Sequence, residues 1–218
     1  MRPAAVVFDN DGLTLDTEQA WTRAERALFG RYGRAFGDDH KRDLLGSARD
    51  VAAAKLERHL ALPGRGRRLM DELHALVMDE LDRGAPPMPG AAELVRALRA
   101  AGVPVGLASN SSREFVDKAL RGAGLAGAFD VTVAGDEVAN PKPAPDGYLA
   151  AAAALGAEPA ACVALEDSPP GVAAAKAAGM LVVGVPSFPG VALDGADLVA
   201  GSLREPAVLA AVGLRAAA

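Results

Sequence analysis

Two carboxylates, Asp9 and Asp11, stand two positions apart directly behind the apolar run 4–8 in the stretch AAVVFDNDGLTLDTE. A short run rich in Val and Phe suits a strand buried on both faces. Acidic groups at its end would project into the crevice where open α/β sheets bind ligands. Charge in such a place needs a cation, a hydrogen-bond network or a raised pKa. The same two residues also suit a plain turn before a helix, where Asp and Gly are favoured.

Three further polar clusters follow apolar runs. Ser109, Asn110, Ser111 and Ser112 follow 104–108, Lys142 comes after 130–134, and Glu166, Asp167 and Ser168 follow 161–165. Each has an ordinary structural reading. Ser111 with Glu114 suits a capping box, Lys142 between two prolines suits a solvated loop, and Glu166 and Asp167 suit the cap of a helix starting near Pro170. Together they suggest more. Asp9, Asp11, Glu166 and Asp167 form an oxygen-only set suited to a hard cation such as Mg²⁺. Serine hydroxyls and helix N-terminal amides suit a phosphate, and a lysine adds fixed positive charge against it. The chemistry that uses all of these is Mg²⁺-assisted phosphoryl transfer with a carboxylate as nucleophile.

The elements that must position these groups can be read from periodicity. Helical spacing covers 19–32, 41–45, 50–60 and 67–81 with no strand between them, and the block ends at Gly84, Pro86, Pro87, Pro89 and Gly90. Beyond it, helices at 91–101, 113–122, 146–155 and 170–178 alternate with strands at 104–108, 130–134, 161–165 and 180–185. Alternation of this kind implies an α/β fold, a Rossmann-like, doubly wound parallel sheet with right-handed crossovers. The helical block then becomes an insertion after the first strand. The expected division is a catalytic core of 1–16 and 84–218 and an all-helical cap of 17–83, with hinges at 14–17 and 83–88.

Composition narrows the partners. The 218 residues are half hydrophobic and carry a net charge of -5, which argues against nucleic acid. The short basic group Arg65, Arg67 and Arg68 reads as a solvated loop, and His40, His59 and His74 share no spacing and read as solvated. The single cysteine, Cys162, reads as a small core residue. Apolar segments are too short to span a bilayer, and the N-terminus lacks the basic head and apolar stretch of a secretion signal. A cytoplasmic location and no membrane partner are therefore expected, with a monomer as the default.

The patterns FDNDGLTLDTE at 8–18, LASNSS at 107–112, NPKPAPDGY at 140–148 and LEDSPPGVAAAKAAGM at 165–180 resemble the haloacid dehalogenase superfamily. The resemblance is to its β-phosphoglucomutase-like branch of sugar phosphatases and mutases with a helical cap. It implies that Asp9 attacks phosphorus and becomes an aspartyl phosphate, while Asp11 protonates the leaving alcohol and later activates water. Ser109, aided by Asn110, would hold the transferring group, and Lys142 would neutralise charge. Mg²⁺ would be bound by Asp9, the main-chain carbonyl of Asp11, Asp167, and Glu166 directly or through water. Members that cleave carbon–halogen bonds lack the second acid, so Asp11 points to phosphate esters.

Substrate choice falls to the cap. Gly46 and Arg49 in LLGSARD resemble the loop that sugar-phosphate members lower onto the substrate, Arg49 pairing with a phosphate or hydroxyl. Mutases of the branch carry a Lys before that Gly and a His on the first cap helix, where this chain has Leu45 and Trp21. Trp21 would instead wall the site. The expected activity is a Mg²⁺-dependent phosphatase of a small phosphorylated metabolite such as a sugar or polyol phosphate. The alternatives are a hexose-phosphate mutase and a non-catalytic phosphate-binding module.

Overall fold

The strand that carries Asp9, β1 (Ala5–Phe8), is buried at every residue, and the rest of the sheet grows outward from it. In this computed structural model, which describes residues 2–214, β1 pairs in parallel with β2 (Val105–Ala108) on one side and with β4 (Cys162–Glu166) on the other. Strand β3 (Val131–Val133) extends the first side; β5 (Leu181–Gly184) and the two-residue β6 (Leu198–Val199) extend the second. The order is β3-β2-β1-β4-β5-β6, parallel throughout. Strand order reverses between β1 and β4, and a parallel sheet opens its ligand crevice at such a switch point.

Nine α-helices among the described residues complete the fold. Four of them, α1 (Glu18–Arg31), α2 (Asp38–Leu44), α3 (Arg49–Leu60) and α4 (Gly66–Leu81), come between β1 and β2, as the helical periodicity predicts. They share an apolar interior of Leu28, Phe29, Leu56, Leu69, Leu73 and Val77, all essentially inaccessible. The others flank the sheet: α5 (Ala91–Ala100), α6 (Arg113–Gly122), α7 (Asp146–Ala154), α8 (Pro169–Ala177) and α9 (Pro206–Ala211). The two segments that lead into and out of the helical insertion run side by side. Asp16 N donates to Pro86 O and Met88 N to Thr14 O, both at 2.9 Å.

Several sequence expectations are corrected. The capping residue of α6 is Ser112, whose hydroxyl accepts from Phe115 N, rather than Ser111 paired with Glu114. Helix α8 is capped by Ser168, which accepts from Gly171 N, leaving Glu166 and Asp167 free of that task. Arg67 and Arg68 are exposed as expected but belong to α4. The histidines are only part-exposed: His40 and His59 meet edge to face at 4.9 Å beside Phe29, and His59 Nε2 lies 2.7 Å from Asp43 Oδ2. Neither β6 nor α9 was legible, because one is two residues long and the other six.

Asn10 is fully buried, and neither its amide nitrogen nor its amide oxygen meets a partner among the described residues. Such a group forfeits its hydration without a compensating bond. Replacing it with Leu is expected to raise stability by about 1–3 kcal/mol, read as a higher denaturant midpoint at unchanged m-value.

Candidate active site

The register Phe8↔Leu165 sets the ends of β1 and β4 level, and Asp9 N donates to Leu165 O at 2.9 Å. Asp9, Glu166 and Asp167 therefore leave neighbouring strands at the same height. Lys142, delivered by the segment before α7, lies 2.5 Å from Asp9 Oδ1 and 2.6 Å from Glu166 Oε1. It is buried rather than a solvated loop lysine. Glu166 is saturated: Oε1 also accepts from Tyr148 OH, and Oε2 accepts from the backbone amides of Asp167 and Ser168 and from Ser168 Oγ. Tyr148, whose ring lies under the Lys142 ammonium at 5.0 Å, was not singled out in the sequence. The signal was present in the quoted motif, since a buried tyrosine must find its hydroxyl a partner.

Three carboxylates around one ammonium leave an excess of negative charge. Burial pushes the Asp9 carboxyl well above its usual range, the Lys142 ammonium pulls it back, and Glu166 and Asp11 push it up again. Asp167 is raised likewise, by burial and then by the carboxylates of Asp9, Glu166 and Glu18. For Lys142, burial works against the charge but is outweighed by Asp9 and Glu166, so its pKa rises. This imbalance is what a divalent cation relieves. Asp9, Glu166 and Asp167 each offer an oxygen, all within 4.8 Å of one another. Asp9 Oδ2 is buried with no hydrogen-bond partner among the described residues. The residues present fit a hard cation held by oxygen ligands.

Among the four acids expected at the metal, the Asp11 side chain stands apart. Its Oδ1 accepts from Thr17 Oγ1 at 2.7 Å, and its Oδ2 accepts from Ser109 Oγ at 3.0 Å and Ser111 Oγ at 2.9 Å. These bonds turn the carboxyl toward the start of the helical insertion and leave only its main-chain carbonyl in the set that the resemblance implied. Gly12 makes room beside it. It has φ of +85°, and a Cβ there would fall 2.3 Å from Asp167 Oδ2 and 2.8 Å from Ser187 Oγ. Ser187, which sequence reasoning missed, donates to Asp167 Oδ2 at 2.5 Å.

A cavity of about 360 Å³ lies over this group. Asn110, Ser111 and Lys142 line it, whereas Ser109 is not part of its wall and holds Asp11 instead. Asn110 ties three segments together, accepting from Lys142 N and donating to Lys142 O and to Gly46 O in the insertion. Gly46 (φ +65°) packs so closely that a Cβ would fall 2.8 Å from Ser168. Trp21 lines the cavity and stacks on Phe115 of α6 at 5.4 Å between ring centres. Arg49 reaches the wall, but its guanidinium is paired with Asp71. His74 also lines the cavity.

The insertion contributes a charged group that the sequence reading did not identify. Lys41 Nζ lies 2.5 Å from Glu18 Oε2 and 3.2 Å from Glu25 Oε2, and all three residues line the cavity. Lys41 and Glu25 are buried. Burial pushes the Glu25 carboxyl up to about 7 even against the pull of Lys41. The available signal was the seven-residue spacing of Glu18 and Glu25, which puts both on one face of a helix.

The space for Glu166 depends on a glycine in the first turn of α8. A Cβ on Gly171 would fall 1.8 Å from Glu166 Oε1 and 1.9 Å from its Cδ. Gly171→Ala should therefore lower stability by about 1–3 kcal/mol, the usual cost of forcing extra volume into a packed interior. It should also impair turnover through the displaced Lys142, and both are measurable by denaturant titration and steady-state kinetics.

The sequence pattern of the haloacid dehalogenase-like hydrolases matches residues 3–179. The chain belongs to that family. Within it the chain is 36% identical over 187 residues, 85% of its length, to a bifunctional riboflavin kinase/FMN phosphatase of Arabidopsis thaliana, and spans about half (49%) of that relative. It is 34% identical over 185 residues, 84% of its length, to hexitol phosphatase B of Escherichia coli K12, covering 83% of that protein. Its fold superposes on CbbY of Rhodobacter sphaeroides in complex with phosphate with a TM-score of 0.83 at 29% identity, covering 97% of this chain and all of that one. These likenesses place this haloacid dehalogenase-like hydrolase in the sugar-phosphatase branch and make it a phosphoric monoester hydrolase. They do not favour the mutase alternative. No described helix is long and apolar enough to cross a membrane.

Proposed function

We propose that this chain is a Mg²⁺-dependent phosphatase that hydrolyses a sugar or polyol phosphate through an aspartyl phosphate on Asp9. The observation that carries the reading is the state of the Asp9 carboxylate: Oδ1 is held by Lys142 while Oδ2 is buried and unpartnered. One oxygen is anchored and the other has unused acceptor capacity, as a nucleophile and metal ligand requires. The hexitol phosphatase relative supports a polyol ester as the substrate, and Leu45 and Trp21 stand where mutases carry Lys and His.

In the first step an Asp9 oxygen forms a bond to phosphorus, the bond from phosphorus to the alcohol oxygen breaks, and Asp11 gives that oxygen its proton. In the second, Asp11 takes a proton from water, the water oxygen bonds to phosphorus, and the Asp9–phosphorus bond breaks to release phosphate. Lys142 keeps the Asp9 carboxylate from repelling the incoming ester, and Asn110 and Ser111 line the space for the phosphoryl oxygens. Mg²⁺, held by Asp9, Asp167 and the Asp11 carbonyl with Glu166 behind them through water, would supply charge neutralisation and orientation. Residues 17–83 act as the cap that closes over the ester, hinged where 14–17 and 83–88 lie together, and Trp21, Gly46 and Arg49 meet the substrate there.

Phosphate release from a panel of sugar and polyol monoesters tests the reading. Chelation of divalent ions is expected to abolish release and added Mg²⁺ to restore it; a chain inert across the panel with Mg²⁺ present would sink the proposal.

A further inference from the structure

We infer that the buried Glu18–Lys41–Glu25 cluster is a specificity device that admits an uncharged, hydroxyl-bearing leaving group and rejects one that carries a second phosphate or carboxylate. The inference rests on the phosphatase reading and adds to it the chemical class of the alcohol.

The cavity has two ends. At the reacting end, Lys142 is committed to Asp9 and Glu166. At the cap end, Lys41 is the buried cation, and it is shared between two carboxylates. The remaining basic side chains on the wall also have acids beside them: Arg49 has Asp71, and His74 has Glu114 at 3.9 Å. Every basic side chain that lines the cavity among the described residues thus has an acidic neighbour. A second anionic group on the substrate would find no uncommitted cation and, above about pH 7 where Glu25 is ionised, would face a cluster with one more carboxylate than ammonium.

The surplus acid is not there for stability. Two carboxylates and one ammonium share the cavity wall with Leu44, Met70 and Leu73, and apolar residues in their place would serve the packing as well or better. Burial already raises the Glu25 carboxyl. Nor is the cluster remote from the chemistry, since Glu18, Lys41 and Glu25 line the same cavity as Asp9, Lys142 and Asp167. Carboxylate oxygens are acceptors, and the groups on a leaving alcohol that donate to acceptors are hydroxyls. Trp21, stacked on Phe115, provides the apolar wall against which a carbon chain or ring would lie. A related fold is known with a different occupant, xylulose-(1,5)bisphosphate in CbbY of Rhodobacter sphaeroides, so bisphosphate binding is the alternative outcome.

The test compares a matched pair, sorbitol 6-phosphate and sorbitol 1,6-bisphosphate, on the wild-type chain with Mg²⁺. Trp21 is the chain's one tryptophan and lines the cavity, so its fluorescence on rapid mixing reports binding ahead of turnover. The monophosphate is expected to bind at least about 100-fold more tightly, because like charges brought together in a desolvated site are strongly disfavoured. Glu25→Gln is expected to narrow that ratio at least about tenfold by strengthening bisphosphate binding, and Glu18→Gln is the second variant should the first fail to fold. Equal or tighter binding of the bisphosphate by the wild type would overturn the inference, as would a ratio unmoved in a folded Gln variant. Hydrolysis of p-nitrophenyl phosphate decides the parent reading separately. Its absence would count against the phosphatase, whereas its presence together with a bisphosphate preference would count against the cluster's role alone.

Discussion

Asp9→Asn is expected to lower kcat by about 10⁵-fold or more, on the scale that follows loss of the nucleophile in covalent hydrolases. The amide keeps the shape and can still contact Lys142, but it has no anionic oxygen with which to bond phosphorus. Stability should move the other way or not at all. In the wild type, burial raises the Asp9 carboxyl and the Glu166 and Asp11 carboxylates raise it further, so removing one of three clustered charges relieves repulsion, and Lys142 retains Glu166. The variant should therefore unfold at a temperature no lower than the wild type in metal-free buffer, and added Mg²⁺ should stabilise it less. Steady-state kinetics and thermal melts with and without Mg²⁺ check both halves. Retention of more than about one hundredth of wild-type kcat in a folded variant would be incompatible with the covalent role.

The second large effect concerns Asp11. Asp11→Asn should cost about 10² to 10⁴ in rate, the range of a general acid–base group, and the loss should depend on the leaving group. An alkyl alcohol leaves poorly without its proton, so phosphorylation of Asp9 by a sugar phosphate should slow by the full factor. p-Nitrophenolate needs no proton, so with that ester the first half-reaction should survive while hydrolysis of the aspartyl phosphate, which needs Asp11 as base, does not. Rapid mixing should then show a burst of nitrophenol close to the enzyme concentration, followed by slow turnover, and the phosphate should be found on the Asp9 peptide by mass spectrometry. Equal slowing of both esters with no burst would remove Asp11 from the proton-transfer role. The bonds from Thr17, Ser109 and Ser111 are retained in part by an amide oxygen, which makes the substitution a test of chemistry more than of packing.

The sequence by itself determined the layered fold and the reacting end of the site, for a reason common to both. Alternating apolar runs and helical periods dictate a parallel sheet, and groups placed directly after strands in such a sheet must gather at one edge. Asp9, Lys142, Glu166 and Asp167 were recoverable because the backbone aims them there, and the sequence order of the strands already carried that information.

The tertiary structure alone decided what each group does with its lone pairs and protons. Distances between distant segments separated Asp11 from the acidic cluster, gave Ser109 to Asp11 instead of to the cavity wall, and showed Glu166 saturated by Lys142, Tyr148 and backbone amides. Ser187 and Tyr148 act across 20 and 18 residues, and although the motif shows a tyrosine that needs a partner, a one-dimensional pattern does not say which distant group it finds. The Glu18–Lys41–Glu25 group was hidden for the same reason. On a helical segment a charge reads as solvated until a second helix and a cavity are shown to bury it, and burial is a property of packing that local sequence does not contain.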